Sequence, residues 1–150
     1  MSESIETEEL EQEKTDYFSI GLSQYNNKED YDTVIETFEK GVKENPRDSS
    51  YYTCLSWLHL LRNKGSDRKK AIDFAKTALR YDPNNAQAQY NLVLSYMLNG
   101  RKGIRDEFEK AISMSKDQDI VSAKTNLKDF VERAGNLDEV DKLLKWIEQA

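Results

Sequence analysis

Few residues in this chain have the chemistry for catalysis. The one histidine, His59, and the one cysteine, Cys54, lie five positions apart. A thiol beside an imidazole would make a nucleophile and its base, but residues three or four apart, not five, are neighbours on a helix. His59 also sits inside the apolar run "SWLHLL", Ser56 to Leu61, which favours a packed or capped side chain over a base or a metal ligand. Cys54 reads as a small buried side chain. Gly100 and Gly103 in "NGRKGIRD" lack the phosphate-binding loop pattern, and no clustered metal-ligand motif is present. The carboxylates fall mostly on polar helix faces. The expectation is a protein that is not an enzyme and needs no cofactor or metal.

Charge is unevenly placed. The net charge is −6, and Met1 to Asp16 alone holds seven acidic residues and one lysine. The other 134 residues carry 21 acidic and 21 basic groups. Residues 1–15 therefore read as an acidic leading segment, disordered or adding a short helical turn, ahead of a neutral body at 16–150. No apolar run is long enough for a membrane span, and the acidic start does not look like a signal peptide. A soluble cytoplasmic protein is the simplest reading.

The elements that position these residues announce themselves by repetition. In "LRYDPNNAQAQYNLVLSYMLNG", Pro83 cannot continue a helix, Asn84 and Asn85 suit a turn and an N-cap, and the apolar set from Tyr90 to Leu98 stops at Gly100. The same break occurs at Asn45-Pro46, 37 residues earlier. Aligning the copies puts Gly41 on Ala78, with Ala111 in the same place in a third copy that has Lys116 where the proline stood. A small side chain at a fixed place lets neighbouring helices approach closely. Lys116 in place of proline suggests a longer or looser junction there. Sustained strand alternation is missing, so the fold class is all-α.

With its repeats aligned, the chain resembles the tetratricopeptide repeat family, whose units are helix–turn–helix pairs of about 34 residues. The strongest matches are "AIDFAKTALRYDPNN", "YNLVLSYMLNG", "DYFSIGLSQY" and "DYDTVIETF". The leading-helix pattern of aromatic, Leu-small pair and aromatic is similar to Tyr17, Ile20-Gly21 and Tyr25; to Tyr52, Leu55-Ser56 and His59; and to Tyr90, Leu92-Val93 and Tyr96. The resemblance implies an α-solenoid of about four antiparallel helix pairs, at roughly 16–48, 49–85, 86–118 and 119–150. The last is degenerate, with Lys128 where a small residue would stand, as an end cap allows.

A right-handed superhelix of that kind has a concave wall lined by its leading helices. Projected onto helical spacing, the wall offers Phe18, Leu22 and Tyr25, then Thr53, Trp57, Leu60 and Leu61, then Tyr90, Leu94 and Met97, and finally Thr125, Asp129 and Glu132. Two readings stay open. In one, Phe18, Leu22, Tyr25, Trp57, Leu60, Tyr90, Leu94 and Met97 form an apolar groove for a partner peptide. In the other, the array closes and these residues are core. In the family's carboxylate clamp for chaperone tails, Lys, Asn and Arg on the three leading helices hold the terminal carboxylate; the corresponding places here are Phe18, Leu22, Cys54, Gln87 and Asn91, and none is a cation. The expected function is a non-catalytic adaptor, assembly factor or scaffold for a protein or peptide. The alternatives are a small chaperone for an apolar client segment or a self-associating module.

A second candidate surface is a basic edge. Arg62, Lys64, Arg68, Lys69 and Lys70 fall in one inter-helix turn, and Arg101, Lys102 and Arg105 in the next. Equivalent turns of stacked repeats project from one edge. These eight cations could meet an acidic protein, an anionic membrane surface or RNA, or simply be a solvated edge. Without interleaved aromatics for base stacking, nucleic acid is disfavoured.

Overall fold

A computed structural model describes residues 14–150, which form eight α-helices and no strand. The helices are α1 (Tyr17–Asn26), α2 (Tyr31–Glu44), α3 (Ser49–Arg62), α4 (Asp67–Tyr81), α5 (Ala86–Leu98), α6 (Ile104–Met114), α7 (Asp117–Ala134) and α8 (Asp138–Gln149). The reading of the acidic leading segment lies outside the described residues, apart from Lys14 and Thr15.

The helix starts follow capping chemistry. Asp16, Asp30 and Asn85 each accept a hydrogen bond from the backbone N–H three residues on, at 3.1, 2.9 and 3.0 Å, while Asp48 accepts from Ser50 at 3.0 Å. These bonds satisfy N–H groups that have no partner inside the helix. Pro46 and Pro83 lie in the turns before α3 and α5. The junction at Lys116 is the reverse of the loose one expected. Only Ser115 and Lys116 separate α6 from α7, and the Asp119 carboxylate accepts from the Lys116 N–H at 2.8 Å. A carboxylate in the first turn of the helix caps it here, as Asp48 and Asn85 cap the helices after the two prolines.

Close approach falls where the small residues recur. Ala78 and Ala111 are fully buried. A Cβ on Gly41 would stand 2.1 Å from Tyr51 Cε1, and one on Gly21 2.6 Å from Phe38 Cζ. Ser56 is also fully buried, and its hydroxyl donates to the Ala71 carbonyl at 2.8 Å.

Helices α1 to α6 pack in chain order, each on the next, and α3 also packs on α5. The last pair does something else. α7 lies across α3 and α5, and α8 packs on α7 and α5. One large core results, in which Leu60, Tyr90, Leu94 and Met97 meet Leu127, Phe130, Val140, Leu143 and Ile147. A second core holds Val34, Ile35, Phe38, Tyr51, Leu55 and Leu58. No described helix is long and apolar enough to cross a membrane.

Candidate functional site

The position of α7 decides which projected wall residues can meet anything outside the chain. Leu60, Leu94, Tyr90 and Met97 are 1, 0, 4 and 7 % exposed. They face inward as projected, but onto α7 and α8 instead of an open groove. The gap between Tyr90, Leu94 and the facing Ala123, Leu127 and Leu143 is about 10 Å³, roughly the room for a single water. The Tyr90 hydroxyl is paired with Ser115 Oγ at 2.8 Å. Phe18 is half-buried, its ring standing edge-on to Phe38 and Tyr51 with centroids 5.9 and 5.7 Å apart, and it borders a separate hollow at the foot of α1. The four buried residues are packing residues, and Phe18 lies outside the remaining part of the wall.

Leu22, Tyr25 and Trp57 remain, and they come together. They line a cavity of about 240 Å³ with Phe38, Thr53, Cys54, Gln87, Asn91 and Asn126. Leu22 is 39 % exposed at its mouth. α1 supplies Leu22 and Tyr25; α3 supplies Thr53, Cys54 and Trp57, one helical turn apart; α5 supplies Gln87 and Asn91; α7 supplies Asn126. The lining is uncharged at neutral pH. Burial pushes the Cys54 thiol up to about 12, so no thiolate is available as a nucleophile or a soft metal ligand.

Three amides give the cavity its polar chemistry. Asn126 Nδ2 donates to Gln87 Oε1 at 2.7 Å, and Asn91 Nδ2 to the Thr53 carbonyl at 3.1 Å. Gln87 Nε2 is buried and has no hydrogen-bond partner. Most buried polar atoms are paired, and this one stands unpaired beneath the cavity surface.

The rim of the cavity is a polar cluster centred on Tyr25. Its hydroxyl donates to Asp129 of α7 and accepts from Trp57 Nε1 at 3.1 Å. Arg133 stacks on the Tyr25 ring at 3.7 Å from the centroid, donates to the Tyr25 carbonyl at 3.0 Å, and pairs with Asp129 at 3.0 Å. Burial and the Asp129 carboxylate raise the Tyr25 pKa well above its usual range, so the phenol stays protonated and donating. Trp57 meets Phe130 edge-on at 5.6 Å. Asp129 thus serves the seam between α1 and α7, and the acidic end of the projected wall contracts to Thr125 and Glu132, which are exposed.

His59 is spent structurally. It is 3 % exposed, its Nδ1–H donates to the Leu55 carbonyl at 2.7 Å, and its ring lies 5.0 Å from that of Phe74. Burial lowers its pKa, which keeps the imidazole neutral.

The basic edge divides. Arg62 turns inward, forking onto Asp67 with two 2.8 Å bonds and reaching Asp32 at 2.9 Å. Arg105 covers Phe108 and Trp146 and pairs with Glu109 at 3.9 Å. The other six stay clear of carboxylates among the described residues. Arg68 and Asn99 tie the two turns together, through Arg68 Nη1 to the Leu98 carbonyl at 2.9 Å and Asn99 Nδ2 to the Arg68 carbonyl at 3.1 Å.

The sequence reading did not find Asn126, Arg133 or Phe38. A buried amide on an otherwise apolar or inward helix face is the signal that could have found Asn126. No local signal pairs Tyr25 with a carboxylate 104 positions away.

No family model matches the chain, and no curated protein matches it.

Proposed function

We propose that the protein is a non-catalytic interaction module, an α-solenoid of the tetratricopeptide type, that holds a segment of a partner polypeptide. The helix-pair order, the small residues at Gly41, Ala78 and Ala111, and the proline-marked turns support the repeat reading. The site differs from a long concave groove because α7 and α8 fill most of the wall. What remains is a socket for one apolar side chain.

The observation that carries this reading is the cavity of about 240 Å³ between α1, α3, α5 and α7, open at Leu22. It is smaller than the roughly 300–1,000 Å³ of drug-sized ligand and cofactor sites. An aliphatic or aromatic side chain fits better, with Leu22, Phe38, Tyr25 and Trp57 supplying apolar contact. The uncharged lining gives no partner to a terminal carboxylate, in keeping with the missing clamp cations. A wider hollow of about 670 Å³ at the foot of α1 is rimmed by Asp16, Glu44 and Asp48, and is better suited to water than to an apolar anchor.

The test is selection of displayed peptides against the full chain, followed by titration with Leu22→Arg. Leu22 is exposed, so the fold survives the substitution. Selected peptides are expected to share one apolar residue, and Leu22→Arg to weaken them by about 2 kcal/mol, as loss of a central anchor contact does. Peptides that bind Leu22→Arg as tightly as the original chain would refute the socket.

A further inference from the structure

The socket leaves the basic charge surplus of the molecule unused. Residues 62–105 hold ten basic side chains against three acidic ones, Asp67, Asp73 and Asp82, whereas the rest of the chain holds twelve basic against twenty-five acidic. Asp67 is buried and consumed by Arg62. The surplus lies on α4 and on the turns at its N-terminal end, which Arg68 and Asn99 hold side by side. Lys69 and Lys76 stand seven residues apart, on one face of α4. Lys76 Nζ and the Arg101 guanidinium both sit over the Tyr96 ring, at 5.8 and 5.1 Å from its centroid, which joins α4 to the turn carrying Lys102. Lys64, Lys69, Lys70, Lys76, Arg101 and Lys102 are exposed, and none has a carboxylate within ion-pair distance among the described residues.

We propose that this ridge is a docking surface for a short acidic segment of a partner polypeptide. Cations held close together raise the local potential, and a segment carrying the opposite charge relieves their mutual repulsion. Size favours a peptide: α4 has fifteen residues and is about 22 Å long, the span of roughly seven extended residues. A long polyanion such as RNA would run on from the ridge over flanks with a surplus of acid. Tyr96, the aromatic ring of the ridge, already has cations over it and is not free to stack on a base. A bilayer surface is disfavoured because three of the four exposed large apolar residues, Ile20, Leu22 and Val121, lie on other helices, and the fourth, Tyr81 at the C-terminal end of α4, has the Arg80 guanidinium over its ring. The ridge is independent of the socket, and Leu22→Arg leaves it intact.

The probe is a fluorescein-labelled twelve-residue peptide of alternating Glu and Ser, titrated with the full chain at about 50 mM and about 300 mM salt. Binding should weaken about tenfold or more at the higher salt, where the Debye length is much shorter. The combined Lys69→Glu, Lys76→Glu and Lys102→Glu variant should weaken it at least as much. A second variant with the same change in net charge away from the ridge, Lys43→Glu, Lys124→Glu and Lys128→Glu, should leave most of the binding. Circular dichroism confirms that both variants fold. Absence of binding, or equal loss in both lysine variants, overturns it. A twelve-nucleotide RNA or phosphatidylserine vesicles binding the ridge more tightly than the peptide overturns the assignment to a polypeptide.

Discussion

Helices α1 and α5 carry similar apolar and aromatic spacing, yet they end in opposite environments. Eleven of the thirteen residues of α5 are buried, while Gly21 is the single buried residue among the ten of α1. The difference does not come from composition alone. α5 has α4 and α6 beside it, α3 next in the stack, and α7 and α8 across its remaining face. α1 has α2 on one side and meets α7 through the Tyr25, Asp129 and Arg133 cluster. The same pattern thus builds core where a later helix returns to cover it, and an exposed cavity mouth where none does. Leu94 and Leu22 are the sharpest contrast, one fully buried and the other 39 % exposed.

Truncating those two leucines puts the comparison at risk most directly. Leu94→Ala should cost about 2–5 kcal/mol, because the surrounding helices cannot collapse into the gap. Leu22→Ala should fall within about 0.5–1 kcal/mol, as exposed substitutions do. Denaturant unfolding of both variants decides it. Similar losses would mean that α1 is as firmly packed as α5, and that the socket is not open.

Trp57 lies between the two regimes. Its ring packs on Phe130 while its indole N–H is tied to Tyr25. It is therefore part of the seam as well as part of the socket wall, and not a free-standing anchor. Trp57→Ala should cost about 3 kcal/mol, and Trp57→Phe clearly less, since the edge contact is largely kept. An Ala variant that melts like the original would return Trp57 to an open groove.

Much of this architecture was legible from the sequence, and what was not has a common physical cause. Local signals gave the turns: Pro46, Pro83 and Asn85 mark breaks that α3 and α5 respect, and Gly100 and Gly135 follow the ends of α5 and α7. The recurring small residues marked close approaches, as Gly41 against Tyr51 shows. The site was legible only in part. Periodicity shows which face of a helix is apolar, but not which distant segment covers it, and α7 lies some thirty residues beyond α5 in the chain. One cue pointed the right way: "YNLVLSYML" is apolar almost all round, the mark of a helix enclosed on every side. The junction at Lys116 was misjudged because proline is only one way to end a helix. The Asp119 carboxylate reaching back to the Lys116 N–H makes a two-residue link without it.

Polar clamps sharpen the contrast between the sealed side and the open one. Asp67 closes the end of α3 from a buried position, and the Arg62 guanidinium holds its carboxyl at about 2. An unfolded aspartate titrates near 3.9, so the folded state binds protons less readily. The contribution of the clamp is therefore full above about pH 4 and is lost as the pH falls toward 2, with a total of about 2 kcal/mol. His59 acts in a separate window. Because its pKa is lowered by burial, stability should begin to fall below about pH 6.5, in the original chain and in Asp67→Asn alike. Because the Asp67 charge also holds the His59 pKa up, the stability gap between those two proteins should be constant above about pH 6.5, widen slightly below it, and close as the pH falls below about 4. A gap unchanged at about pH 2.5 would show that the clamp acts by shape and not by charge.

The most local effect belongs to Tyr25→Phe. The ring still stacks under Arg133, and Arg133 still pairs with Asp129, so the apolar contacts of α1 survive. What goes is the hydroxyl that donates to Asp129 and accepts from Trp57. Asp129 keeps Arg133, but the Trp57 indole N–H loses its acceptor, so the change should cost about 1–3 kcal/mol. α1 has little else buried, so the loss should appear there first. Amide exchange should accelerate in α1 and at the facing turn of α7 around Asp129, while the α5 amides keep their protection, because segments with few buried contacts open below the global unfolding free energy. A wider socket mouth should follow, and peptides selected on the original chain should gain in association rate as they lose affinity. Uniform acceleration across α1 and α5 would mean that the two helices open as one unit and that the seam is no weaker than the core. Protection unchanged in α1 would show that Phe18, edge-on to Phe38 and Tyr51, holds the helix without help from the Tyr25 hydroxyl.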